Sequence, residues 1–154
     1  MPIYYFDSSS TVKKYVSETG TAWVLSLFKL PTDNAIYVSQ ITGVEVVSAI
    51  SRRFRAGDLA KQAAKKSIAR FKRDFQYRLR VLRLTDNVIL DAMRLSEIHG
   101  LRGYDAVQLS VALELEKRLA PNNLTSIIFV SSDDNLNQAA QTEGLTVQNP
   151  NSFT

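Results

Sequence analysis

The chain has 154 residues and a net charge of +4, with 45% hydrophobic and 22% charged residues, which is typical of one globular domain. It contains no cysteine and one histidine, His99, which excludes disulfide frameworks, thiolate metal sites and mechanisms that need two imidazoles. No apolar run approaches the roughly 20 residues of a membrane span, and the N-terminus does not resemble a secretory signal, so we expect a cytoplasmic protein without a membrane partner.

Strands and helices are predicted to alternate along the chain. The predicted strands are residues 3–6, 35–38, 77–84, 126–130 and 145–148. The predicted helices are residues 8–16, 21–30, 41–55, 58–75 with Asp58 as its cap, 85–99, 102–119 with an end at Ala120, Pro121 and Asn122, and 133–143. The first strand is apolar on both faces, the third has a basic face typical of an edge, and no tight hairpin joins two strands. This pattern predicts an α/β fold, with a mostly parallel sheet covered by helices on both faces.

The basic residues are concentrated in one part of the sequence. Twelve of the nineteen lie between positions 52 and 83, a stretch that contains only two acids, Asp58 and Asp74. A basic block on a pair of helices is typical of a surface that binds nucleic acid or an acidic partner. A well-solvated helix face has the same composition, so both interpretations stay open at this point.

Two carboxylates follow the two most apolar predicted strands. Asp7 comes directly after the strand at 3–6, and Asp133 follows the strand at 126–130. Because the carboxyl ends of parallel strands meet at one edge of a sheet, where ligands bind in open α/β folds, we expect these side chains to be near neighbours. Each could instead be no more than a helix cap, as we expect of Asp86.

A third acid, Asp105, is predicted to lie on the buried side of its helix. At spacings of four and eight it aligns with Leu109 and Leu113, and no lysine or arginine shares that stripe. An ionised carboxylate that faces the core is costly unless it is paired, which favours a bound cation as its partner. The structural alternative is that the helix dipole favours an acid in the first helical turn.

The fourth acid, Glu45, belongs to the helix at 41–55. The apolar face of this helix is predicted to consist of Ile41, Val44, Val47, Ile50 and Phe54. Glu45 shares a face with the small residues Ser48 and Ala49, which would leave space around its carboxylate. It also fits the last position of a capping box that begins at Thr42.

Three or four carboxylates without cysteine or histidine form a hard oxygen site, which suits Mg²⁺ or Mn²⁺. The chemistry typical of such a site is phosphodiester hydrolysis, in which the metal activates a water and neutralises charge on the phosphate. We expect no histidine near these acids. The basic block would supply a surface for an RNA backbone.

The segments that carry these acids occur in a recognisable order. They are Tyr5-Phe6-Asp7-Ser8-Ser9, the helix with Glu45, Leu101-Arg102-Gly103-Tyr104-Asp105-Ala106, and Phe129-Val130-Ser131-Ser132-Asp133. In this the chain resembles the PIN domains, and most closely the VapC-type ribonuclease toxins of bacterial toxin–antitoxin pairs. Because the resemblance extends from Ile3 to Pro150, a single nuclease domain is predicted for residues 1–150, with residues 151–154 as a short tail.

The resemblance implies a three-layer α/β/α fold and an endoribonuclease that depends on Mg²⁺ or Mn²⁺. It carries over as catalytic and metal-binding residues the four acids Asp7, Glu45, Asp105 and Asp133. Ser9 and Ser131 match the positions that hold these carboxylates in place. Because Asp134 follows Asp133, the fourth acid is ambiguous by one residue, and we prefer Asp133 because it lies three residues past Val130, as in the family's motif.

The resemblance also implies partners. These are an RNA substrate, a second copy of the chain in a homodimer, and a cognate antitoxin whose C-terminal tail blocks the site. We expect Arg52, Arg53 and Arg102 to line the groove for RNA or for the protein partner.

Three alternatives share parts of the pattern. A DNA or structure-specific nuclease would keep the fold and the metal, because an acidic metal cluster does not recognise the sugar. A catalytically silent binding module would use the acids as caps and the basic helices as a docking surface. A phosphoacceptor receiver domain is disfavoured, because serines rather than a second acid follow Asp7 and no lysine follows the last long strand.

Overall fold

The centre of the fold is a parallel sheet. The computed structural model describes residues 1–121 and 126–153, so Asn122 of the predicted helix end and Thr154 of the predicted tail lie outside the described residues. The strands in the described part are β1 Ile3–Phe6, β2 Ala35–Ser39, β3 Arg80–Leu82, β4 Ile128–Val130 and β5 Thr146–Gln148. Their order in the sheet is β3-β2-β1-β4-β5, and all neighbours are parallel, as the sequence predicts.

Helices cover both faces of the sheet. They are α1 Ser8–Thr11, α2 Thr21–Phe28, α3 Gln40–Arg55, α4 Lys61–Tyr77, α5 Asp86–His99, α6 Gly103–Leu119 and α7 Asp134–Thr142, with 3₁₀ turns at Val12–Lys14 and Pro150–Ser152. Because side chains alternate along a strand, Ile3 and Tyr5 pack against α5, α6 and α7, whereas Tyr4 and Phe6 pack against α2, α3 and α4. The expected three-layer α/β/α fold is confirmed. Within the described ranges, none of these helices combines the length and apolarity needed to cross a bilayer.

Several predicted boundaries are wrong, among them the start of α4 and the length of β3. Asp58 does not cap α4, because Gly57, with a φ of 84°, turns the chain after α3 and the helix begins only at Lys61. The predicted strand at 77–84 is shorter, because Tyr77 still belongs to α4 and pairing with β2 covers only Arg80–Leu82. Its predicted place at the edge of the sheet is confirmed.

The buried face of α3 also differs from the prediction. Its buried residues are Thr42, Val46 and Ile50, whereas Val44 is 70% exposed and Phe54 is 41% exposed. The apolar residues alone indicated the wrong stripe, because the polar Thr42 is buried against a side-chain amide of α6. Relative to the predicted face, the helix is therefore rotated about its axis. Val44 faces solvent, and Glu45 beside it is half-buried.

Residues near the C-terminus pack on α2. The rings of Trp23 and Phe153 are stacked, with centroids 4.4 Å apart and an angle of 6° between their planes. Gly20 lies against the Pro150 carbonyl so closely that a Cβ there would be 2.5 Å from the oxygen. The division of the chain at residue 150 stays a prediction.

Candidate active site

Asp7 and Asp133 follow neighbouring strands and lie at the same edge of the sheet. Phe6 is opposite Val130 in the pairing of β1 with β4, and the Asp7 N–H donates to the Val130 carbonyl at 3.1 Å. Asp7 is also the N-cap of α1, and Asp133 is the N-cap of α7 through the Leu136 N–H at 2.9 Å. The capping role and the shared sheet edge are therefore properties of the same two residues, not alternatives.

The carboxylate of Asp7 is buried and held by neutral donors. The Ser9 hydroxyl lies 2.8 Å from Oδ1 and 2.9 Å from Oδ2, the Ser10 N–H donates to Oδ1 at 2.9 Å, and the Ser131 hydroxyl donates to Oδ2 at 2.7 Å. Burial raises the pKa of Asp7 to about 6, although the hydrogen bonds from Ser131, Ser10 and Ser9 each act to lower it. The hydrogen bonds fix the position of Asp7 without supplying a positive charge.

Ser9 and Ser131 also connect the two strand ends. The Ser9 hydroxyl accepts from the Ser132 N–H at 3.0 Å, and the Ser131 hydroxyl accepts from the Asp133 N–H at 3.1 Å. Each serine therefore bonds both to Asp7 and to the loop that carries Asp133. Both hydroxyls therefore hold the Asp7 carboxylate, whereas they contact the segment of Asp133 only through its backbone.

Glu45 is held by a residue that was not predicted from the sequence, Gln108 of α6. The Gln108 amide nitrogen lies 2.8 Å from Glu45 Oε1, 3.0 Å from the Thr42 hydroxyl and 2.9 Å from the Ser8 hydroxyl. The Ser8 hydroxyl donates to the same Glu45 oxygen at 2.7 Å. One feature of the sequence could have indicated this role: Gln108 is an amide three residues after Asp105, between the apolar residues Val107 and Leu109.

The orientation of the Gln108 amide follows from its partners. Its Oε1 accepts from the Tyr5 hydroxyl at 2.6 Å, and Gln108 is only 1% exposed. An ionised carboxylate can only accept, so the NH₂ group must face Glu45 and the carbonyl must face Tyr5. Burial raises the pKa of Tyr5 well above its usual range, and the Asp7 charge adds to this effect, so the phenol remains a donor.

Asp105 lies in the first turn of α6 and is half-buried, on the same side of the helix as the fully buried Leu109. Burial raises the pKa of Asp105, and the charges of Asp133 and Glu45 raise it further, whereas Arg102 lowers it. These three acids are therefore close enough to repel one another.

The four acids line one cavity of about 470 Å³, which we call the acidic cavity. Arg52 and Arg102 line the same cavity, and the Arg52 guanidinium donates to the Ser48 hydroxyl at 3.0 Å. Ser48 and Ala49 are also in its wall, next to Glu45, where small side chains were expected to leave space. The structure thus brings the four acids to one cavity, and their roles as catalytic and metal-binding residues stay predictions.

Two other residues considered from the sequence lie elsewhere. Arg53 is outside the lining of the acidic cavity, and its guanidinium is 2.6 Å from a carboxylate oxygen of Glu18, which also pairs with Lys13 at 3.2 Å. Asp134 is exposed in the first turn of α7, with the Asn149 amide 3.3 Å from its carboxylate. Asp133, not Asp134, faces the acidic cavity.

The carboxylate oxygens in the acidic cavity are suitable ligands for a hard divalent cation. All four acids offer carboxylate oxygens, and Glu45 Oε2 has no hydrogen-bond partner among the described residues. Within residues 1–121 and 126–153, no three such side chains are already arranged around one point as direct ligands. This arrangement suits Mg²⁺, which is usually bound through one or two carboxylates, with waters and substrate phosphate completing its shell.

His99 lies outside the acidic cavity, in a neighbouring one. It lies at the end of α5 and lines a second cavity of about 610 Å³, to which Arg102, Asp105 and Asp133 also contribute. His99 does not line the acidic cavity itself, so the expectation that no histidine lies near the acids to act there stays a prediction. The ring Nε2 is 2.8 Å from a Glu143 oxygen, so one side of the imidazole already has a partner.

A comparison with known proteins assigns the family. The sequence model of one protein family, the PIN domain, matches residues 4–141 of the chain. The chain therefore belongs to the PIN-domain family. Ribonuclease VapC45 of Mycobacterium tuberculosis is 34% identical over 113 residues, which cover 73% of this chain and 76% of that protein.

Solved structures of similar fold include two from VapBC systems. The structure of VapBC2 from Rickettsia felis, bound to a DNA fragment from their promoter, matches with a TM-score of 0.59 and 18% identity over 96% of this chain and 98% of that chain. VapBC-1 from nontypeable Haemophilus influenzae matches with a TM-score of 0.61 and 16% identity, again over 96% and 98%. At these identities the matches show the shared fold.

Proposed function

We propose that this protein is a divalent-metal-dependent endoribonuclease that acts as the toxin of a toxin–antitoxin pair. The observation that carries the proposal is the acidic cavity, in which four carboxylates and two arginines meet at the carboxyl edge of a PIN-domain sheet. The name of the curated relative, a ribonuclease, supports RNA as the substrate class.

The residues of the cavity divide into two roles. Asp7 and Asp105 would be the main ligands of Mg²⁺ or Mn²⁺, because Asp7 is buried and held in place by hydrogen bonds and the burial of Asp105 disfavours an unpaired charge. Glu45 and Asp133 would be outer ligands or would orient the attacking water. The metal, when bound, would lower the pKa of a water and neutralise charge on the phosphate.

The cavity's own residues support hydrolysis by water. The water oxygen attacks phosphorus, its proton passes to a carboxylate such as Glu45, and the bond from phosphorus to the 3′ oxygen breaks. That 3′ oxygen then takes up a proton, which leaves a 3′-hydroxyl and a 5′-phosphate. Arg52 and Arg102 offset the phosphate charge, and single-stranded or loop RNA would enter the cavity most easily.

The partners follow from the same assignment. We propose a homodimer, as the family resemblance implies, and a cognate antitoxin that covers the acidic cavity. The antitoxin is supported by the likeness to the two VapBC structures described above. Part of the basic surface on α3 and α4 would then contact either RNA or this antitoxin.

The test is cleavage of single-stranded RNA and of DNA of the same sequence, with Mg²⁺ or Mn²⁺ and with EDTA. We expect RNA cleavage that needs the metal and leaves 5′-phosphate ends, and we expect isothermal titration calorimetry to show Mn²⁺ binding that Asp7→Asn abolishes. Cleavage that survives EDTA, or products with 2′,3′-cyclic phosphates, would contradict this mechanism. Cleavage of DNA alone would favour a DNA nuclease, and absence of metal binding would favour a silent binding module.

A further inference from the structure

The second cavity, which contains His99, adjoins the acidic cavity on the side away from α3. It lies between the loop that joins α5 to α6 and the outer face of α7, and it shares Arg102, Asp105 and Asp133 with the acidic cavity. The distinguishing residues of its wall are His99, Asn135, Gln138 and Thr142. We call it the amide cavity. The shared residues therefore separate two spaces of different chemistry.

One face of α7 supplies the amides. Asn135, Gln138 and Thr142 are spaced by three and four residues, so they lie on the same side of the helix. Asn135 and Gln138 are exposed, and within the described residues neither side-chain amide has a hydrogen-bond partner. The Thr142 hydroxyl donates only to the Gln138 backbone carbonyl, at 2.9 Å. Both amides are therefore free to bond a ligand.

The charges around the amide cavity are largely balanced within the protein. Glu143 accepts from His99 at 2.8 Å and from Arg94 at 3.0 Å. Hydrogen bonds from Arg94 and His99 hold the pKa of Glu143 below its usual range, so it stays ionised and paired. A carboxylate can only accept, so His99 Nε2 carries the proton in this bond. Apart from the shared residues and the paired His99, the polar side chains of the wall are Asn135, Gln138 and Thr142, which lie beside the apolar Ile98, Leu101 and Ala139.

The opposite wall of the acidic cavity is different. Its lining includes the apolar side chains of Val12, which follows α1, and of Val44 and Ala49 of α3. Tyr104 of α6, which is 61% exposed, also lines the acidic cavity but does not line the amide cavity. An aromatic ring can stack with any base, because every base has a π-face. A wall of this kind tolerates sequence differences.

We propose that the amide cavity binds the base of the nucleotide on one side of the scissile phosphate and recognises it through Asn135 and Gln138. This inference rests on the proposed ribonuclease activity. A phosphodiester joins two nucleosides, so a phosphate at the acids places one nucleoside toward each cavity. Amide side chains donate and accept at once, which matches the edges of bases. Sequence preference should therefore exist on one side of the cut and be weak on the other.

The test uses a pool of random single-stranded RNA, with Mg²⁺ or Mn²⁺, and sequencing of the ends that the cut produces. The double variant Asn135→Ala/Gln138→Ala is compared with the wild type and with Gln141→Ala, an exposed amide of the same helix that does not line the cavity. We expect the wild type to prefer particular bases on one side of the cut. The double variant should still cleave, with that preference reduced about tenfold or more, and Gln141→Ala should match the wild type.

Other outcomes would overturn the inference. An unchanged base preference in the double variant would show that the amides do not contact the base. Equal loss in the Gln141→Ala control would show an effect of helix α7 as a whole. A wild-type protein that cuts no RNA in the pool would defeat the proposed function itself, which is a different result from cleavage without the predicted preference.

Discussion

Two buried aspartates of this molecule differ in their partners and in the direction in which their pKa is shifted. Asp74, 7% exposed, has the Lys14 ammonium 2.6 Å away, the Tyr15 hydroxyl at 2.8 Å and the Arg78 guanidinium at 3.8 Å. Burial raises its pKa, but the hydrogen bonds from Lys14 and Tyr15 and the cationic charges outweigh burial, so the net pKa is lowered. Asp7, 3% exposed, is held by hydroxyl and backbone donors, and its pKa is about 6.

The difference extends to the surroundings of each residue. Near Asp74, the carboxylate of Glu18 is likewise paired with Lys13 and Arg53. Around Asp7, three more carboxylates line the same cavity, and the two arginines there are partly free to face a ligand. Removing one partner of a charge pair inside the protein destabilises the fold, whereas carboxylates without such a partner are available to a cation from outside.

The largest effect should come from Asp7→Asn. The amide keeps the size of the side chain but cannot act as an anionic ligand, so we expect RNA cleavage to fall by about a thousandfold or more. The free energy of unfolding of the metal-free protein should not fall by more than about 1 kcal/mol, because no ion pair is broken. Cleavage rate and urea unfolding measure the two quantities, and an unfolded Asp7→Asn protein would remove the contrast with Asp74.

The matched change Asp74→Asn should have the reverse result. It leaves Lys14 without its charge partner in a largely buried position, so we expect the free energy of unfolding to fall by about 3 kcal/mol. Cleavage per folded molecule should stay as in the wild type. A urea titration measures the loss, and a variant as stable as the wild type would show that the pair at Asp74 has no structural role.

The contribution of Asp74 to the free energy of unfolding should depend on pH in a defined direction. Because the pKa of Asp74 is lowered in the folded protein, its contribution is fully present above the unfolded value, about 3.9, and is lost as the pH falls through the folded value. The difference in stability between the wild type and Asp74→Asn should therefore shrink below about pH 4 and stay constant at neutral pH.

An intermediate effect is expected at Gln108, which joins the fold to the site. Gln108→Leu removes the bond that orients Glu45, so cleavage should fall about 10- to 100-fold and Mn²⁺ affinity should fall with it. Ser110→Ala is the control, because Ser110 is equally buried on α6 but donates to the Val88 carbonyl, away from the acids. If both variants lost the same activity, Gln108 would be only a structural residue.

The smallest expected effect is a difference between two adjacent arginines in how they contribute to the salt dependence of RNA binding. Arg52 lines the acidic cavity, whereas Arg53 is paired with Glu18. Arg52→Ala should reduce the slope of log affinity against log salt by about 0.7 for single-stranded RNA, and Arg53→Ala should leave it unchanged. Fluorescence anisotropy with the Asp7→Asn background, which does not cleave, measures both slopes. A reversed order would place the RNA on the other side of α3.

The sequence was informative where local patterns determine the outcome. Strand ends at one edge of a parallel sheet bring Asp7 and Asp133 together whatever the details of packing, and helical spacing places Asp105 on the buried side of α6. The pairing of Lys14 with Asp74, 60 positions apart, depends on contacts that spacing does not encode. The same is true of Gln108, whose partners Tyr5 and Glu45 come from two other elements.

The stacked rings of Trp23 and Phe153 give the molecule an optical reporter. Trp23 is the only tryptophan, so the tryptophan emission of the protein originates from this stack. The stack lies between α2 and the turn at Pro150–Ser152, and neither aromatic ring lines the acidic cavity. Tryptophan fluorescence will therefore register release of this turn during unfolding, while chemistry at the acids leaves the signal unchanged.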